Sequence, residues 1–98
     1  MKPYRFHEGA ESDLAEAISY YRDESPALAD RFHDEFEGLL RDVCLAPTRF
    51  RVIAAPVRRH FGGTFPYALL YVDRTDHVLI LAVSHFKRQP GYWRDRLR

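Results

Sequence analysis

The segment Val78–Trp93, VLILAVSHFKRQPGYW, constrains the fold more than any other part of the chain. It opens with six consecutive apolar residues, Val78 to Val83, most of them branched. An apolar run this short reads as a strand buried on both faces, inside a sheet rather than at its edge. The chain then turns polar and basic at Ser84, His85, Lys87 and Arg88, and Pro90 and Gly91 break it before the aromatic pair Tyr92 and Trp93. A buried strand that ends in a histidine and two cations is a rigid scaffold for chemistry.

The residues before it supply the layers. Pro3 to His7 alternates as a short first strand, and Gly9 ends it. From Ala10 to Tyr21, the residues Ala10, Leu14, Ala17, Ile18 and Tyr21 fall on one helical face, which leaves Glu11, Asp13 and Glu16 outside it. Ser25–Pro26 is a helix-start signal, a capping serine followed by a proline whose missing N–H costs nothing there. The second helix places Leu28, Ala29, Phe32, Phe36, Leu39, Leu40 and Val43 on one side and ends before Pro47. Its acids Asp30, Asp34, Glu35 and Glu37 read as a solvated face.

Residues 46–56 read as a connecting loop fenced by prolines. Val57–Phe61, Tyr67–Val72 and Val78–Val83 then form an antiparallel meander, turned at Gly62–Gly63 and at Asp73–Asp76. The tail from Tyr92 to Leu97 is a short helix or an irregular segment. The order β-α-α-β-β-β predicts one α+β domain over residues 1–98, an antiparallel sheet with a helical hairpin on one face.

Charge divides the chain. Residues 1–48 carry 5 Lys/Arg against 11 Asp/Glu, and residues 49–98 carry 10 against 3. The basic half faces something anionic, nucleic acid or an acidic protein, or it faces the acidic half of its own fold. The lone Cys44 lies on the apolar side of the second helix and reads as a buried thiol, and no Cys/His spacing suits a metal. No segment has the length and hydropathy of a membrane span or signal peptide, so a cytoplasmic location is expected.

Several side chains carry candidate chemistry. Arg58 and Arg59 are strand neighbours and point to opposite faces, so one of them can serve an anion on the open face of the sheet. His85 can act as acid or base near neutral pH, or simply cap a strand end through a backbone hydrogen bond. Lys87, Arg88, Arg94, Arg96 and Arg98 interleave with Tyr92 and Trp93, a pattern that fits phosphate contacts with base stacking and equally fits aromatics closing a core. No nucleophilic triad or phosphate-binding glycine loop is present.

Taken together, DLAEAISYY (13–21), SPALADRFHDEF (25–36), RRHFGGTFPYALLYV (58–72) and ILAVSHFKRQPGYWRDR (80–96) resemble the RelE/ParE superfamily of bacterial toxins, often labelled plasmid-stabilisation proteins. The resemblance covers nearly the whole chain and implies the toxin of a type II toxin–antitoxin module, bound and silenced by a cognate antitoxin. It implies no cofactor and no membrane. It leaves two mechanisms open. ParE-like members poison DNA gyrase and are not known to be nucleases, whereas RelE-like members cut mRNA on the ribosome. In a nuclease, the resemblance makes His85 the acid/base group and Arg59 the stabiliser of the scissile phosphate. Lys87 or Arg88 would grip the backbone, with Arg58, Tyr92 and Trp93 as further nucleic-acid or partner contacts. Several RelE-like enzymes carry a lysine cluster before the second strand, where this chain has only Arg49 and Arg51. A third reading is a decayed toxin that keeps only its antitoxin surface.

Overall fold

A computed structural model describes all 98 residues. Strand β1 (Tyr4–Phe6) leads into helices α1 (Glu8–Glu24) and α2 (Pro26–Leu45), followed by β2 (Arg51–Ala54), β3 (Val57–Phe61), β4 (Tyr67–Asp73), β5 (Val78–His85) and a final 3-10 turn, Arg94–Leu97. The α+β class and the helical hairpin are as the sequence predicts. Ser25 alone separates the helices, and its Oγ accepts from the Leu28 amide at 3.0 Å with Pro26 behind it.

The strands form one sheet in the order β1-β5-β4-β3-β2. The meander β3-β4-β5 is antiparallel, but β1 joins β5 in parallel, so the sheet is mixed. The α1–α2 connection carries the chain over one face and back, which lets β1 lie beside the last strand in the same direction. Part of the segment read as a loop is the edge strand β2, paired antiparallel with β3 through Arg51–Arg59 and Val52–Arg58. It is short and exposed along most of its length, so it lacks the apolar alternation that marks a half-buried strand.

The helices cover one face of the sheet. Phe32, Phe36, Leu39, Leu40 and Val43 of α2 and Ala10, Ala17 and Tyr21 of α1 pack with Leu69, Tyr71, Ile80 and Val83. The other face carries a smaller core of Val57, Ala68, Leu70, Val72, Leu81 and Ala82, closed by Trp93 from the tail. Gly91, at φ 79°, is what lets the chain fold back far enough for Trp93 to reach it. A register shift in β5 lets Leu81 and Ala82 both serve this second core before Val83 returns to the first. Cys44 is buried, and burial raises its thiol pKa. No helix is long and apolar enough to cross a membrane.

Two acids expected in solvent are structural. Asp13 is 7% exposed, because β1 stops at Phe6 and the uncovered edge of β5 needs a polar partner there. Its Oδ2 accepts from the Val83 amide, the Tyr92 hydroxyl and Arg96 Nη1 at 3.1, 2.9 and 2.7 Å. Glu35 accepts from the amides of Thr64 and Phe65 at 3.1 and 3.0 Å, tying the β3–β4 turn to α2.

Candidate functional site

The second face of the sheet holds a cleft of about 500 Å³ between the ends of β3, β4 and β5 and the tail. Leu70, Ala68 and Trp93 lie along its apolar floor, while Arg59, His85, Arg88 and Arg94 bring polar groups to its walls. No aspartate or glutamate lines it. Phe61 and Phe86 stand at its side, 47% and 56% exposed, packed edge to face at 5.6 Å.

Strand geometry divides Arg58 from Arg59. Arg59 shares its face with Val57 and reaches the cleft, where its guanidinium lies 5.3 Å from the Phe61 ring centre and its Nε is buried without a hydrogen-bond partner. Arg58 turns to the opposite face and donates to the carbonyls of Thr48 and Phe50 at 3.1 and 2.8 Å. Together with the Tyr71 hydroxyl, bound to the Pro47 carbonyl at 2.7 Å, it holds the segment between α2 and β2. Arg58 is therefore outside the cleft.

His85 ends β5 opposite Tyr67, whose ring it meets edge-on at 5.0 Å. Its Nδ1 accepts from the Lys87 amide at 3.0 Å. An amide can only donate, so Nδ1 keeps its lone pair in this bond and the neutral ring carries its proton on Nε2. The Lys87 side chain is exposed and lines no cleft. Beyond the His85–Arg88 ridge lies a second recess of about 340 Å³, lined by Glu16, Tyr20 and Tyr67.

Tyr92 sits behind the cleft. Burial first, and the charge of Asp13 second, push its pKa up to about 12. Arg88 lies over its ring at 4.0 Å and Arg94 lies over Trp93 at 5.0 Å. Of the residues singled out in the sequence, the structure gathers Arg59, His85, Arg88, Trp93 and Arg94 in one cleft. Phe61 and Phe86 belong there too. The basic tail signals Arg94, whereas nothing in the sequence pairs the two phenylalanines.

Residues 4–90 match the family described as the ParE toxin of the type II toxin–antitoxin system parDE. The chain belongs to the ParE toxin family. It is 33% identical over 88 residues to Toxin ParE2 from two strains of Mycobacterium tuberculosis, CDC 1551 / Oshkosh and H37Rv, covering 89% of this chain and 84% of each relative. A solved structure of the chromosomal ParDE system from P. aeruginosa shares the fold with a TM-score of 0.75 at 13% identity, over 87% of this chain and 96% of that one. As a ParE-family toxin, the chain has a cognate antitoxin as its implied partner. The family match also places it on the ParE side of the superfamily resemblance.

Proposed function

We propose that this toxin arrests growth by binding and poisoning DNA gyrase, and that the arginine cleft is its target-binding surface. The observation that carries the reading is His85 Nδ1, held by the Lys87 amide at 3.0 Å. Cleavage of RNA by its own 2′-hydroxyl needs a group to take a proton and another to give one. His85 is the only histidine in a cleft that has no aspartate or glutamate, and the bond to Lys87 occupies the lone pair a base would use. Its Nε2–H and the arginines are donors, suited to holding an anionic or polar surface. The ParE family match supports the same branch.

The test is induction of the toxin without antitoxin, with gyrase-linked DNA breaks and RNA 5′ ends read in the same cells. Breaks with intact messages are expected. New 5′ ends inside codons with an intact chromosome would overturn the reading in favour of the ribosome-dependent endonuclease.

A further inference from the structure

The cleft arginines have no carboxylate partner. Arg96 pairs with Asp13 and Lys2 pairs with Asp73, but Arg59, Arg88 and Arg94 make no ion pair. Each lies over an aromatic ring, Phe61, Tyr92 or Trp93, as Arg96 does over Tyr92 in addition to its ion pair. Stacking positions the planar guanidinium through its face and leaves the N–H donors on its edge free, which is the geometry that phosphate oxygens accept. No carboxylate lies within ion-pairing distance of any of the three cleft arginines. Arg59 adds a buried Nε donor with no acceptor, an arrangement that costs stability unless a ligand completes it.

We infer that the cleft binds an unpaired nucleotide through its phosphodiester, with the base against Phe61 and Phe86. On the gyrase reading, on which this rests, the nucleotide belongs to DNA in the target complex. A cleft of about 500 Å³ accommodates a nucleotide-sized group, and a base-paired duplex is too wide to enter it. The exposed Phe61–Phe86 pair offers aromatic faces beside the arginines, the combination used to hold single strands. An acidic peptide would satisfy the arginines, but its carboxylates bring no aromatic ring to stack on the two phenylalanines.

The inference is tested by anisotropy of the full-length toxin with a labelled oligothymidine of roughly 12 nucleotides. NaCl is varied between about 50 and 200 mM. Three phosphate contacts predict a slope of log K against log[salt] near −2, at about 0.7 per phosphate for single strands. Arg88→Ala and Arg94→Ala, both at exposed positions, should each cost roughly tenfold and flatten the slope by about 0.7. Arg59→Ala should do the same, with a thermal melt to show that it folds. Arg22→Ala removes an equal charge from the exposed side of α1 and should change nothing.

Absence of binding at the lowest salt overturns the inference, as does a loss with Arg22→Ala equal to that with Arg88→Ala. Displacement of the oligonucleotide by a Glu/Asp-rich peptide at lower concentration also overturns it, and assigns the cleft to protein. Gyrase supercoiling assays separate the two readings. A toxin that inhibits gyrase without binding oligonucleotide keeps the gyrase reading and sinks the inference. One that binds oligonucleotide and leaves gyrase untouched keeps the inference and sinks the gyrase reading. An RNA of matched sequence bound much more tightly than the DNA would likewise keep the phosphodiester site while removing DNA as its source.

Discussion

Asp13 and Arg96, eighty-three residues apart in sequence, together complete the edge of β5 where β1 ends. The Asp13 carboxylate takes the Val83 amide, and Arg96 Nη1 donates to the Leu81 carbonyl at 3.0 Å. Two side chains thus do what another pair of strand residues would do. The same pair fastens the tail to α1, and so keeps Trp93 on the second core. Replacing Asp13 with alanine strands a buried amide, the Tyr92 hydroxyl and a largely buried guanidinium at once. A loss of about 3–5 kcal/mol is expected in urea unfolding. A loss below about 1 kcal/mol, the value of an exposed pair, would contradict this role.

Gly9→Ala should destabilise despite alanine's better helix propensity, worth up to about 1 kcal/mol in a helix interior. A Cβ at Gly9 would stand 2.5 Å from Arg96 Cζ and Nε. The guanidinium is held by Asp13 and cannot yield freely. In an Arg96→Ala background the same substitution should become neutral or stabilising. A double-mutant cycle with no coupling would reject the clash.

The pattern of apolar residues made the helices, the meander and the buried last strand legible, because those elements bury continuous faces at their own periods. The roles of Asp13 and Glu35 were not legible. Both sit at helical positions next to the apolar stripe, and only the end of β1 and the path of the β3–β4 turn turn them inward. Strand β2 was hidden because an exposed edge strand has no buried face to pattern it. In the cleft, Arg59 and His85 could be nominated by residue type and resemblance. The opposite fates of Arg58 and Arg59 follow from alternation, but which one faces the cleft depends on strand register.

Alkaline conditions should unfold this toxin through Tyr71, which is buried, and Tyr92, which is half-buried. Burial is the main cause that raises the pKa of both Tyr71 and Tyr92 to about 12, against a value near 10 in the unfolded chain. A native state that holds these protons more tightly contributes stability that is complete below pH 10 and is lost as pH rises toward 12. The melting temperature should fall across that window. Tyr92→Phe should flatten the fall, while losing at neutral pH a charge-assisted hydrogen bond worth about 1.5–3 kcal/mol. A melting temperature constant through the window, with Tyr92→Phe indistinguishable from the parent, would show that these hydroxyls are free to ionise in the folded state.

His85→Gln should keep toxicity. The amide side chain can still accept from the Lys87 N–H or donate into the cleft, whereas it cannot exchange a proton at neutral pH. A binding toxin loses at most the contribution of one hydrogen bond, about 0.5–1.5 kcal/mol or severalfold in affinity. An acid–base enzyme loses roughly 100-fold or more in rate. Growth arrest titrated against inducer concentration, with protein levels matched, separates the two. Complete loss of arrest by a folded variant would return His85 to catalysis.

The adjacent arginines provide a sharper contrast, since charge and sequence position are nearly the same and only the face differs. Arg58→Ala removes both bonds to the Thr48 and Phe50 carbonyls, which lie outside the cleft. It should cost about 1–3 kcal/mol of stability while leaving toxicity per folded molecule intact. Arg59→Ala removes a buried donor that has no partner in the free toxin, so its stability should hold or rise. Its toxicity should nevertheless fall, because the guanidinium over Phe61 belongs to the target-binding wall. Urea unfolding and growth arrest measured on the same variants give opposite rank orders if the cleft is the working surface. Equal losses of toxicity at both positions, once corrected for folded protein, would mean that arginine charge matters and the cleft does not.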